Sequence, residues 1–219
     1  MPNRERFLAV CRGKRLGDVP IADWYNKYWA ETPAVWVKQG APKEILTAEG
    51  FQSYFQLDHY QSLQEIVACV MRSDLKEDPE QPGSGYYLVT PPVVPVFEQK
   101  VLREDGRHRV ETTYGGATVE VSKEHPLAMP RYLDHPVKDW ASWREYKNRL
   151  DPDTPERWPR DWEAYVARRN SQDAPTLLML SGFFGMLREW AGLERLLFMF
   201  YDEPDLVEDM MEQMLYLVM

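Results

Sequence analysis

Two carboxylates and one guanidinium stand in this chain where chemistry could be done. Asp23 follows the strand-like stretch Asp18-Val19-Pro20-Ile21-Ala22, where it could orient a substrate or move a proton, or else cap the next turn. Asp58 closes Phe55-Gln56-Leu57-Asp58 and is open to the same two readings, a substrate contact or a turn residue. Arg188 lies one turn into a predicted helix and could clamp a substrate carboxylate, although Glu189 and Glu194 offer it local ion-pair partners. Gly182 and Gly185, flanking Phe183 and Phe184, could let backbone approach a ligand or simply make a tight turn. Their spacing is not that of a dinucleotide-binding loop. The aromatic cluster Trp24, Tyr25, Tyr28, Trp29 and Trp36 could line a flat apolar pocket or pack a helix onto the rest of the fold.

Other chemistries lack their residues. His59, His108, His125 and His135 form no His-x-His, His-x3-His or His–Cys pair, so the expected metal-ligand set within this chain is none. Gly-x-Ser-x-Gly is absent, which removes the usual serine-nucleophile elbow. The two cysteines, Cys11 and Cys69, have no Cys-x-x-Cys neighbour and suggest neither a disulfide framework nor a zinc knuckle. A net charge of −9 argues against a general nucleic-acid binder. Mean hydropathy is −0.54 and no apolar run approaches the roughly 20 residues of a membrane helix, so neither nucleic acid nor membrane is an expected partner. The start, Met1-Pro2-Asn3-Arg4-Glu5-Arg6, leads into no signal-peptide apolar region, and the chain reads as cytoplasmic.

The elements that must position these residues can be sketched from capping and periodicity. Asn3 is the expected cap of a first helix ended by Gly13, and Thr32-Pro33 opens a second that runs to Gln39. Thr47 caps a helix over Ala48–Phe55, and Ser62-x-x-Glu65 is a capping-box pattern. Ser73 to Gly85, charged and rich in Gly and Pro, reads as a loop. Residues 93–121 carry strand patterns broken by Glu104-Asp105-Gly106 and Gly115-Gly116, which predicts an antiparallel hairpin or meander. Helices return over Lys138–Leu150 and Asp161–Arg169. Thr176 to Leu180 is an apolar run suited to a strand buried on both faces, followed at once by a glycine loop and a helix. The final helix, from Pro204, places Leu206, Val207, Met210, Met211, Met214, Leu215 and Val218 on one wide face expected to be core. It ends without a glycine cap or basic last turn, which suggests a chain cut within or just after a core helix.

Several stretches, taken in order, resemble the uroporphyrinogen decarboxylase superfamily. They are Arg6-Phe7-Leu8-Ala9-Val10-Cys11-Arg12-Gly13 with Asp18-Val19-Pro20-Ile21, then Tyr54-Phe55-Gln56-Leu57-Asp58. The most specific runs from Met129-Pro130-Arg131-Tyr132-Leu133-Asp134-His135-Pro136 to Leu150-Asp151-Pro152. Gly182-Phe183-Phe184-Gly185, Arg188-Glu189-Trp190-Ala191-Gly192 and Tyr201-Asp202-Glu203-Pro204 complete the series. The resemblance implies an α/β fold, a (β/α)8 TIM barrel over residues 1–219, incomplete at the C-terminus, with the hairpin of 93–121 inserted in it. It implies an active site at the C-terminal ends of the strands, drawing on Asp23, Asp58 and Arg188 for catalysis and on Trp24, Tyr25, Gly182, Phe183 and Trp190 for substrate.

That superfamily holds two chemistries: cofactor-free decarboxylation of uroporphyrinogen, and methyl transfer involving a corrinoid or a thiol, usually with zinc. The decarboxylases resembled here carry an arginine-rich loop after the first strand. This sequence has Ala22-Asp23-Trp24-Tyr25-Asn26-Lys27-Tyr28-Trp29 instead, and Lys27 is no bidentate carboxylate clamp. Trp190, nearest to the tyrosine those enzymes use, has no hydroxyl. The expectation is therefore a corrinoid-linked methyltransferase acting on a small molecule, with a corrinoid protein as partner and zinc ligands beyond Met219. Tetrapyrrole decarboxylation and a non-catalytic fragment stay open as alternatives.

Overall fold

A computed structural model describes residues 2–21, 31–62, 72–78, 81–90, 92–125, 128–177 and 182–219. In chain order the elements begin with helices α1 (Asn3–Cys11), α2 (Glu31–Lys38) and α3 (Ala48–Tyr54). Seven strands follow: β1 (Gln61–Ser62), β2 (Arg72–Asp78), β3 (Gln81–Thr90), β4 (Val101–Glu104), β5 (His108–Thr112), β6 (Thr118–Ser122) and β7 (Arg131–Asp134). Then come α4 (Trp140–Lys147), α5 (Trp162–Asn170), β8 (Thr176–Leu177), α6 (Phe183–Ala191), α7 (Leu193–Asp202) and α8 (Pro204–Val218). They fall into two compact units. One comprises Met1–Leu63, Asp74–Leu88 and Asp161–Leu178, and the other Gln64–Ser73, Val89–Arg160 and Met179–Met219.

The barrel expectation is overturned. A (β/α)8 barrel closes a parallel sheet. The largest sheet among the described residues is four-stranded and antiparallel, in the order β4-β5-β6-β7. β1 and β8 do pair in parallel, but over two residues each. The apolar run after Ala174 yields only Thr176 and Leu177 as described strand, with residues 178–181 outside the described set. The last three helices follow one another with no strand between them, α6 and α7 separated by Gly192 alone and α7 and α8 by Glu203. Strand–loop–helix is a local pattern, whereas barrel closure needs repeated alternation, and the described residues do not supply it. The described residues of Ser73 to Gly85 likewise form no loop: they belong to β2 and β3, which pair. The antiparallel sheet runs from Val101 to Asp134: β4, β5 and β6 fall almost entirely within the 93–121 stretch, and β7 adds a fourth strand beyond it.

In the first unit, local signals set the helices. Thr47 accepts from Gly50 N at 3.0 Å and starts α3. The first turn of α1 is capped from a distance: Asp173 Oδ2 and Oδ1 accept from Asn3 N and Arg4 N at 2.8 and 3.1 Å. Those backbone donors hold the Asp173 carboxylate below its usual range. Trp36, Phe51 and Phe55 make an aromatic group, with Phe51 and Phe55 centroids 4.6 Å apart.

The second unit holds the main core. Trp143, Tyr146 and Leu150 from α4 and its end meet Leu187 and Trp190 of α6, Leu196 and Met199 of α7, and Leu206, Met210 and Met214 of α8. Burying a side chain of this size stabilises by about 1.5–3 kcal/mol, so this cluster dominates the unit. Asp139 and Ser142 cap α4 reciprocally. Trp143 Nε1 and Lys147 Nζ both donate to Asp209, tying α4 to α8. Burial disfavours the Asp209 carboxylate, but those hydrogen bonds and the charges of Lys147 and Arg144 outweigh it and lower its pKa. The sheet joins this core through Phe97, whose ring stacks on Tyr146 at 5.7 Å and packs over Gly116. Gly116 turns with φ +86° between β5 and β6, and a Cβ there would sit 3.1 Å from the Phe97 ring. Arg157, 1% exposed, donates to the carbonyls of Pro92, Arg149 and Asp151 at 2.6–2.7 Å. Met211 and Leu215 of α8, expected in the core, lie exposed, and Gln213 and Leu217 are buried in their stead, with Gln213 donating to Leu150 O. Among the described residues no helix is long and apolar enough to cross a membrane.

Candidate functional site

Chemistry-bearing groups meet where the chain leaving β7 passes the end of α6. The last carbonyls of a helix have no intrahelical partner. Here they are met by the passing chain: Val137 N donates to Trp190 O at 2.9 Å, and His135 Nδ1 lies 3.0 Å from Glu189 O. A carbonyl only accepts, so Nδ1 carries the proton. In the neutral ring Nε2 then holds the lone pair. The His135 ring stacks on Tyr132, centroids 5.3 Å apart and planes within 4°. Tyr132 Oη donates to Glu189 Oε2 at 3.0 Å, and Arg188 Nη2 donates to Glu189 Oε1 at 3.0 Å. Both oxygens of Glu189 are thereby engaged, one by a phenol and one by a guanidinium.

The position of the imidazole depends on Gly192. This residue has φ +82°, and a Cβ there would come within 2.8 Å of His135 Cδ2 and 3.0 Å of Nε2. Both the backbone angle and the space therefore call for glycine. Asp134 Oδ1 accepts from His135 N at 2.9 Å while its other oxygen pairs with Lys138, which fixes the backbone on the strand side. The Tyr132 phenol is pushed up to about 12. Burial is the first cause, followed by the negative charge of Glu189 and the bond donated to it, with Arg188 opposing. Tyr132 is thus a neutral donor throughout the physiological range.

The residues expected from the sequence fall in different places. Arg188 belongs to this cluster, exposed and paired with Glu189. Trp190 is 1% exposed and stacks on Trp143 at 5.5 Å, so its ring is core and not a wall that a substrate reaches. Its Nε1 is buried with no hydrogen-bond partner among the described residues. Gly182 precedes α6, and no atom of the described residues comes within 4 Å of where its Cβ would stand. Phe183 is exposed at the start of α6. Asp58 belongs to the first unit, where the Arg6 guanidinium pairs with one oxygen and Ile21 N donates to the other at 2.8 Å. Asp58 N also donates to Ile21 O, so this carboxylate fastens α1 and Ile21 to the segment after α3. Asp23, Trp24 and Tyr25 lie outside the described residues, as do Tyr28 and Trp29.

No catalytic or binding role was expected of Tyr132, His135 or Glu189, and Glu189 was expected only as an ion-pair partner of Arg188. The three-residue spacing of Tyr132 and His135 at a strand end, and a glycine three residues past Glu189, are the signals that point to them. Among the described residues no three His, Cys, Asp or Glu side chains converge in a way that could hold a metal ion. The sequence matches no protein-family model, and comparison with curated proteins and with solved structures likewise gives no match.

Proposed function

We propose that this chain belongs to an enzyme acting on a small molecule, by methyl transfer of the kind found in the corrinoid-linked branch of the uroporphyrinogen decarboxylase superfamily, with His135 as proton acceptor. The observation that carries the reading is the meeting of two stretches on which the resemblance rests. Arg131-Tyr132-Leu133-Asp134-His135 and Arg188-Glu189-Trp190 lie 54–57 residues apart, yet join through His135 to Glu189 O and Tyr132 to Glu189 Oε2. The reading concerns chemistry, not barrel architecture. The absence of an arginine-rich loop between Ile21 and Trp29 favours it over decarboxylation of a poly-carboxylate.

A thiol acceptor must lose its proton before it attacks a methyl group, and a free thiol has a pKa of about 8.5. His135 Nε2 takes that proton, giving thiolate and imidazolium, while Nδ1–H goes on donating to Glu189 O, which holds the ring. Arg188 has guanidinium donors beyond the one used on Glu189, and these suit an anionic group on the acceptor. A methylcorrinoid, when bound, would supply the methyl group as a cation equivalent and would keep the electron pair of the bond that breaks. The zinc of that branch finds no donor set among the described residues.

The test supplies methylcobalamin and a small thiol and follows the methyl thioether by mass spectrometry. His135→Gln is expected to lower the rate on the order of 10²-fold near neutral pH, the usual scale for a positioned base. The deficit is expected to shrink as pH rises toward the thiol's own ionisation, which a purely structural role would not produce. An equal rate in the variant, or carbon dioxide released from uroporphyrinogen with no methyl transfer, overturns the reading.

A further inference from the structure

The second unit carries an open groove of about 470 Å³ between α8 and the ends of α6 and α7. Its apolar surface comes from Phe183, Phe200, Met211 and Leu215, each 39–50% exposed. Glu208 and Glu212, one helical turn apart on α8, lie along the same groove. Neither forms an ion pair among the described residues, whereas Asp209 between them is already held by Lys147. Residues 193–219 contain seven carboxylates and one guanidinium, a net charge of −6 out of the chain's −9. The single guanidinium, Arg195, pairs with Glu203 at 2.8 Å. The groove therefore combines an apolar floor that includes an adaptable methionine with an acidic rim and, among the described residues that line it, no cation.

Charge selects among occupants. A second copy would bring another acidic rim against this one, and an anionic lipid surface would be repelled. A helix with apolar residues at i, i+3 or i+4 and i+7, flanked by Lys or Arg, meets both features at once. Two carboxylates at i, i+4 match two cations at the same spacing on a partner helix. We propose that this groove docks a cationic amphipathic helix of a partner protein. The proposal is independent of the assignment made for His135.

The experiment uses fluorescence anisotropy with a labelled 14-residue Leu/Lys peptide ordered to be amphipathic as a helix, and with the same composition scrambled. The ordered peptide is expected to bind with a Kd on the order of micromolar and the scrambled one roughly tenfold or more weaker. Raising salt should weaken binding, as expected for exposed charge pairs. The double substitution E208K/E212K, on exposed positions, should weaken binding roughly tenfold or more. Met211→Glu should do the same through the floor, and retained thermal transitions would exclude unfolding as the cause. Equal binding of ordered and scrambled peptides, binding unchanged in E208K/E212K, or no binding at all overturns the proposal. So does a dimer in sedimentation equilibrium that the peptide does not dissociate.

Discussion

Asp58 and Glu189 are both carboxylates placed against an arginine, yet they do different things. Asp58 spends its oxygens on Arg6 and on the backbone N–H of Ile21, and its own N–H on Ile21 O. Every bond it makes joins parts of the first unit. Glu189 also has both oxygens engaged, by Tyr132 and Arg188, but its carbonyl fixes one nitrogen of His135 and so leaves the other with a lone pair. A saturated carboxylate holds structure. A carboxylate residue that orients a half-satisfied imidazole leaves valence for a ligand. The sequence letters alone do not separate the two, because the distinction lies in what the partner has left over.

The contrast can be broken most forcefully at Gly192. Gly192→Ala puts a Cβ within 2.8 Å of His135 Cδ2 at a backbone angle L residues seldom adopt. A loss of about 2–3 kcal/mol in denaturant unfolding is expected, together with altered His135 reactivity toward an imidazole-modifying reagent. Asp58→Ala comes next. It should cost about 1–3 kcal/mol by stranding the Ile21 N–H and the half-buried Arg6, while leaving His135 reactivity unchanged. A change in that reactivity would erase the difference between the two carboxylates.

Tyr132→Phe sharpens the contrast at smaller amplitude, about 1 kcal/mol near neutral pH. Its signature is the pH dependence. The phenol's pKa is raised to about 12 in the folded chain and lies near 10 when unfolded. The stability linked to that shift is present below about pH 10 and lost as pH climbs toward about 12. The variant should lack that component of the alkaline slope, which parallel denaturant titrations of the two proteins would read.

What could be read from sequence follows the range over which each feature is decided. Thr47 before α3, Pro204 at the first turn of α8, and the turns at Asp105-Gly106 and Gly115-Gly116 are settled within a few residues, and they stand where periodicity and turn chemistry put them. Barrel closure is settled by pairings many residues apart, and the local strand–glycine–helix pattern after Ala174 implied more than it could. Charged composition concealed β2 and the first half of β3, while the strand-like Tyr87-Leu88-Val89 does lie in β3, because strand pairing tolerates polar residues where hydrophobic alternation is weak. The ion pair of Arg188 with its neighbour Glu189 was legible from their adjacency. The bond between Tyr132 and Glu189 was not, since 57 residues separate them and the local spacings that mark each residue say nothing of their pairing.

Arg157 has a consequence along the chain as well as in space. Its guanidinium reaches back 65 residues to Pro92, 8 to Arg149 and 6 to Asp151, so it closes one long loop around the antiparallel sheet and two short ones at its foot. Closing the long loop carries an entropic penalty that grows only as the logarithm of its length, so the sheet could lengthen at little further cost. The clip is also permanent, because arginine does not titrate in proteins. A protease that cuts the exposed turn at Asp105-Gly106 would therefore leave two pieces still pinned together at their bases, and a single nick there should not release the sheet.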